Sequence, residues 1–206
     1  QMCIETGKEI IATLPIETFP GKIVVIDNER DADNAVLQLN NERIIGFDTE
    51  TRPTFKKGKS NHVALIQLST HDTCYLFRIN RIGFTPAIKN LLENESLLKV
   101  GISLKDDFCM LSRLNGGQFI PKNFIELQKF VKKYNIEDQS LQKIYGIVIG
   151  KKISKGQRLS NWEADHLTEN QQLYAATDAW SCIKIYEVLK SGKFKSPIYK
   201  IQPSSL

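Results

Sequence analysis

Apolar residues return along this chain at two periods, and the switches between them lay out its elements. "KIVVID" at 22–27 is a β-branched run and predicts a strand. In "NERDADNAVLQLN" the positions Ala32, Ala35, Val36 and Leu39 recur at helical spacing behind Asn28, a good N-cap. "RIIGFDTE" (43–50) predicts a second strand, "HVALIQLS" (62–69) a third and "TCYLF" (73–77) a fourth. Only "THD" separates the last two, so they pair as an antiparallel hairpin. A helix follows over 85–94, then a short strand, "LLKVG" (97–101), and helical patterns in "DDFCMLSRL" (106–114), "LQKFVKKY" and "SLQKIYGIVI".

The best-marked helix lies in "LTENQQLYAATDAWSCIKIYEVLKSG". Thr168 with Gln171 three residues on makes a capping box, and Gly192 suits the stop. Tyr174, Asp178, Cys182, Ile185 and Leu189 fall on one stripe of it. Residues 1–20 show little periodicity and contain Pro15 and Pro20, which predicts a loose arm; the polar tail 193–206 is expected to fray. One domain over 21–192 remains, with a mixed β-sheet (antiparallel early strands, parallel later ones) flanked by helices.

Composition narrows the class. The 206 residues are 41% hydrophobic and 25% charged, which suits one globular domain. No run approaches the roughly 18 apolar residues of a membrane span, no secretory signal is visible at the start, and Gln1 reads as a start inside a longer frame. Cysteines at 3, 74, 109 and 182 form no C-x-x-C pair, which argues against zinc and disulfides and for a reducing, cytoplasmic setting. His62, His71 and His166 are scattered, so any metal here is a hard, oxygen-ligated one. No glycine-rich loop of a nucleotide-cofactor type is present. The net charge of +5 is modest, but "KKGK" (56–59) and "KKISKGQR" (151–158) concentrate cations as phosphate-contacting or merely solubilising loops do.

The acids carry the chemistry. Asp48 and Glu50, two apart on a strand, project side by side and raise each other's pKa unless a cation intervenes. Asp178 sits on an apolar helix stripe, costly unless it is paired or ligates a metal, and Ala175, Ala176 and Ala179 leave room for close approach. Asp107 shares a face with Met110, Leu111 and Leu114 and leans inward, while Asp106 leans away. These four acids could gather around one or two hard divalent cations, with Tyr174 orienting an attacking water or a scissile phosphate.

D-x-E on a strand, then G-x₅-D (Gly101 to Asp107) and Y-x₃-D (Tyr174 to Asp178), in this order, resemble the three motifs of the DEDDy 3′–5′ exonucleases, the subgroup of ribonuclease D and the Werner syndrome exonuclease domain. "VALIQLS", "CYLF", "NFIEL", "SNW" and "LTENQQLYAATDAW" extend the resemblance over about residues 22–190. It implies a ribonuclease H-like, three-layer α/β fold and release of nucleoside 5′-monophosphates from a 3′ end of DNA or RNA. Two Mg²⁺ or Mn²⁺ ions are implied, one shared by Asp48, Glu50 and Asp178, the second bridged by Asp48 and reached by Asp107 through water, with Tyr174 positioning the nucleophile. Lys56, Lys57, Lys59, Lys151, Lys152, Lys155 and Arg158 are then candidates for strand contacts, and Trp162 for base stacking or for anchoring its loop. Rival readings are a non-catalytic nucleic-acid-binding module and an aspartyl-nucleophile phosphohydrolase, the latter disfavoured because Glu50 stands where that motif has Asp.

Overall fold

The computed structural model describes residues 6–53 and 62–195. Six strands, β1 (Lys22–Ile26), β2 (Ile44–Thr51), β3 (Val63–Ser69), β4 (Thr73–Phe77), β5 (Leu98–Gly101) and β6 (Phe124–Glu126), form one sheet in the order β1-β4-β3-β2-β5-β6. β3 runs antiparallel to β2 and β4, while β1 lies parallel to β4 and β5 parallel to both β2 and β6. The expected mixed sheet is therefore present, with β3 alone running against the rest. All seven β3 residues are buried, as a strand covered on both faces requires.

Alternation along β2 sorts its side chains to the two layers. Ile45 and Phe47 join a core with α2 (Glu29–Leu39), α4 (Pro86–Leu92) and α5 (Leu104–Leu114). Gly46, Asp48 and Glu50 face the other way, toward α8 (Glu169–Lys190). The helix crosses β2, β3 and β4, carrying Ala175 and Ala176 into one core cluster with Leu65 and Leu76. α7 (Leu141–Ile149) packs behind it, with Ile144 and Ile185 in a shared core. The capping box of Thr168 and Gln171 is present, and Asn28, Thr85 and Ser140 each accept a backbone N–H at the start of their helices.

Four details depart from the sequence reading. First, the described part of the expected loose arm is docked: α1 (Lys8–Thr13) lies on α7, Leu14 and Phe19 are buried, and Ile16 bridges Lys152. Glu17 fixes it, accepting from Lys151 at 2.7 Å, Lys184 at 2.9 Å and the Tyr145 hydroxyl. A six-residue helix followed by Pro15 and Pro20 is too short to show a period, which is why the pattern missed it. Second, "LQKFVKKY" is a single α-turn, α6 (Leu127–Phe130), continued by a 3₁₀ turn to Tyr134 that Asn135 ends in left-handed backbone (φ 61°). Third, Leu114 is 43% exposed, so the inward face of α5 is carried by Leu104 and Leu111 instead. Fourth, the short β6 and the turn α3 (Ile79–Ile82) escaped the pattern altogether. No described helix is long and apolar enough to cross a membrane.

The layers meet most tightly at Gly46. A Cβ there would stand 1.9 Å from the Ala179 carbonyl oxygen of α8. We expect Gly46→Ala to cost about 3 kcal/mol in chemical denaturation, the upper end for overpacking, because the obstacle is backbone and cannot rotate aside.

Candidate active site

The site is assembled from both layers at one end of β2. Asp48 and Glu50 point to the α8 face, and Asp178, one residue before the tight Ala179 contact, reaches them from the helix. Carboxylate oxygens of Asp48, Glu50 and Asp178 lie within 4.8 Å of one another. Glu50 and Asp178 are only 8% and 6% exposed, and Asp178 Oδ1 is buried without a hydrogen-bond partner. None of the three enters an ion pair among the described residues. An oxygen-only donor set with an orphaned, buried carboxylate oxygen fits a hard divalent cation.

Asp107 comes from the opposite layer. It lies one turn into α5, and its carboxylate accepts from the Thr49 hydroxyl at 2.5 Å. Thr49 alternates away from Asp48 and Glu50 and so reaches toward α5. Glu126, at the end of β6, caps α5 by accepting from the N–H groups of Ser103 (3.0 Å) and Leu104 (2.8 Å). Ser103 itself makes no side-chain cap and sits in left-handed backbone. Gln67, opposite Asp48 in the β2–β3 register, is fully buried and directs its Nε2 at Glu50 Oε1, 3.5 Å away. The sequence reading passed over Thr49, Gln67 and Glu126. A lone Gln inside "VALIQLS" was the available signal for Gln67.

Desolvation dominates the electrostatics. Burial, then the charges of Asp178 and Asp107, hold Asp48 well above the usual carboxylate range. Burial followed by Asp48, Asp178 and Asp107 pushes Glu50 up to about 10, against the pull of Gln67. Burial raises Asp178 to about 7 against the neighbouring Tyr174 hydroxyl, and Asp107 to about 7 against Thr49. Tyr174 is raised as well, by burial first and then by the acids beside it, so its hydroxyl stays protonated at neutral pH.

A cleft of about 600 Å³ opens over the acids, and Lys155, Arg158 and Leu159 line its other side. Two lysines of that loop are elsewhere. Lys151 is bound to Glu17, and Lys152 donates to the Ala12 carbonyl at 2.6 Å. Of the two readings of Trp162, its position favours the loop anchor over base stacking: it is fully buried, its ring 6.0 Å from that of Tyr174. Arg52 pairs with Glu163 at 3.1 Å. Lys56, Lys57 and Lys59 lie outside the described residues.

The family model for 3′–5′ exonucleases matches residues 23–192, which takes in all three strand and helix segments that supply these acids. The chain belongs to the 3′–5′ exonuclease family. It is 37% identical over 188 residues to the mouse bifunctional 3′–5′ exonuclease/ATP-dependent helicase WRN, a match covering 85% of this chain and 13% of that protein. The Aedes aegypti exonuclease mut-7 homolog is 27% identical over 79% of this chain and 26% of its own length. The chain thus spans a small part of these two relatives. Among solved structures, the Aedes aegypti Nibbler EXO domain superposes with a TM-score of 0.76 at 23% identity, covering 90% of this chain and 94% of that one. Trypanosoma brucei RNase D in complex with RNA U12 gives 0.74 at 20% identity, over 87% of this chain and 65% of that one. The fold is ribonuclease H-like, as these neighbours share it.

The raised acids make a prediction about pH. An acid ionising near 7 when folded and near 4 when unfolded binds more protons in the folded state between those values, so stability falls as pH rises through that window. Glu17 acts in a separate window. Burial alone would raise it, but Lys151, Tyr145 and Lys184 bring it down to about 2, so its contribution is lost only as pH falls below about 4. In EDTA, the melting temperature of Asp178→Asn should exceed that of the parent by a margin that widens from pH 4 to pH 7. A constant margin would show that Asp178 does not titrate there.

Proposed function

We propose that this chain is a metal-dependent exonuclease that hydrolyses phosphodiester bonds from the 3′ end of single-stranded or 3′-ended DNA or RNA, releasing nucleoside 5′-monophosphates. The observation that carries it is the convergence of Asp48, Glu50 and Asp178, drawn from two elements far apart in sequence, with none of them in an ion pair with a described cation. Family membership supplies the polarity. The RNA bound to the trypanosomal RNase D neighbour supports a polynucleotide substrate.

Asp48, Glu50 and Asp178 would hold one divalent cation, and Asp48 with Asp107 a second. Bound Mg²⁺ or Mn²⁺ supplies activation of a water and neutralisation of charge on the phosphate. The remaining work belongs to the chain. Thr49 holds the Asp107 carboxylate, and Gln67 steadies Glu50. Tyr174, kept protonated and backed by Trp162, offers its hydroxyl to the attacking water or a phosphate oxygen. Lys155 and Arg158, across the cleft, contact backbone phosphates and so read charge rather than sequence. Cys74, Cys109 and Cys182 are free thiols, which supports a reducing compartment such as the cytoplasm.

Strands labelled at the 3′ or the 5′ end, as DNA and as RNA, incubated with Mg²⁺, Mn²⁺ or EDTA, test this reading. We expect immediate release of the 3′ label as mononucleotide, stepwise shortening of the 5′-labelled strand, and no reaction in EDTA. Asp178→Asn should abolish hydrolysis while strand affinity persists, and Tyr174→Phe should slow it about a hundredfold. Binding without metal-dependent shortening would identify a non-catalytic module instead.

A further inference from the structure

The active-site cleft has a neighbour across Lys155. A second groove of about 610 Å³ adjoins it, and the two share Gln139, Ser140, Gln142 and Lys155 as common walls. Its far wall is α1, which contributes Lys8, Ile11 and Ala12. Lys8 and the rest of α1 precede the 23–192 stretch that the exonuclease family model matches, so this wall is supplied by the docked N-terminal segment.

The sign of charge differs between the two adjoining depressions. The cleft end is built on five acids, Asp48, Glu50, Asp106, Asp107 and Asp178. The groove end carries Lys8, Lys143, Lys152 and Lys155 against Glu137 and Asp138. Asp138 is buried and already satisfied, accepting from the Thr6 N–H at 3.0 Å and pairing with Lys143 at 2.9 Å. Lys8, Lys152 and Lys155 form no ion pair with a described acid, although Lys152 also holds the Ala12 carbonyl. The floor is aliphatic, from Ile11, Ala12 and Ile153, and no aromatic ring among the described residues lines it.

Building on the exonuclease reading, we propose that this groove holds the backbone of the substrate strand upstream of its 3′ end. Acids in the cleft suit metal-bound chemistry, and lysines in the adjoining groove suit the phosphates that follow. Because no ring is available for stacking, the contact is to phosphate and is indifferent to base identity. An acidic protein segment is the other occupant the charge would admit, but only a nucleic-acid strand has a reason to continue from the acids into the lysines.

Two exposed α1 positions test this without touching the cleft. Lys8→Ala removes a cation, and Ala12→Glu adds an opposing charge on the groove floor; both residues are good helix formers there, and circular dichroism checks the fold. On a strand of about twelve nucleotides, a length within the usual range of single-strand sites, each variant should raise KM about fivefold near 0.1 M salt with kcat unchanged. Hydrolysis of a dinucleotide, too short to leave the cleft, should be unaltered. In EDTA, the log–log salt slope of twelve-mer binding by the Lys8→Ala protein should be shallower by about 0.7, as for one lost phosphate contact, and equal for oligo-dT and mixed sequence. Unchanged twelve-mer affinity and slope in both variants would overturn the proposal, as would an equal loss on the dinucleotide. So would a Glu-rich peptide whose binding is weakened by Ala12→Glu while strand binding is not. A parent protein that cleaves nothing refutes the exonuclease reading alone, since the EDTA binding comparison still decides the groove.

Discussion

The structure depends on the approach of the α8 backbone to β2, and that approach exists because residue 46 has no side chain. With the Ala179 carbonyl where a Cβ would stand, helix and strand are closer than ordinary side chains would allow. Ala175 and Ala176, fully buried in the cluster with Leu65 and Leu76, keep the helix side chains next to this contact small. Asp178 precedes the contact by one residue on the helix, and Asp48 follows it by two on the strand. The geometry that closes the core therefore fixes the separation of the carboxylates. Small residues here are a spacing device, and the site is a by-product of how the layers touch.

Such spacing is unfavourable for the acids themselves. Each loses hydration, and each lies in the field of the others, so Glu50 is pushed up to about 10 and Asp178 to about 7. Among the described residues, the fold opposes the strain with neutral groups alone. Gln67 and Thr49 donate to Glu50 and Asp107, and Tyr174 lies beside Asp178, while Asp178 Oδ1 is left with nothing. No described lysine or arginine forms an ion pair with them, although cations stand nearby in the 151–158 loop. A buried ion pair would satisfy the acids and fill the site at once. Leaving the charge uncompensated keeps it available for a cation that comes from solution.

What the sequence revealed and what it hid divide along the range of the interactions involved. Asp48 beside Glu50 follows from a period of two, and the stripe from Tyr174 to Leu189 from a period of 3.6, so both were legible from local spacing. The orientation of Asp107 was read correctly for a reason only partly right. Its companion Leu114 is exposed, and what holds the carboxylate is Thr49, 58 residues away. Glu126 caps α5 across a separation of 22 residues, and Glu17 binds Lys184 across 167. No periodicity encodes such contacts. The same blindness hid α1, whose few apolar residues make sense only against Gly146, where Ile11 occupies the space a side chain would need.

The basic loop shows why charge in a sequence has no meaning until its partners are known. Lys151, Lys152 and Lys155 are near neighbours with the same chemistry, and they do three different things. Lys151 faces Glu17 in a cluster with Tyr145 and Lys184, and so ties the loop to the N-terminal segment. Lys152 holds the carbonyl at the end of α1 while its backbone bridges Ile16. With these two anchored, the loop cannot drift from the helix layer, and Trp162 pins its far side beneath Tyr174. Lys155 and Arg158 are exposed between the anchors, and the backbone that carries them is kept at the edge of the acidic cleft. Ordering a long basic side chain normally costs rotamer entropy at the moment of binding. Fixing the backbone at both ends of a short loop moves part of that cost into folding, where the buried Trp162 ring and the Glu17 cluster offset it.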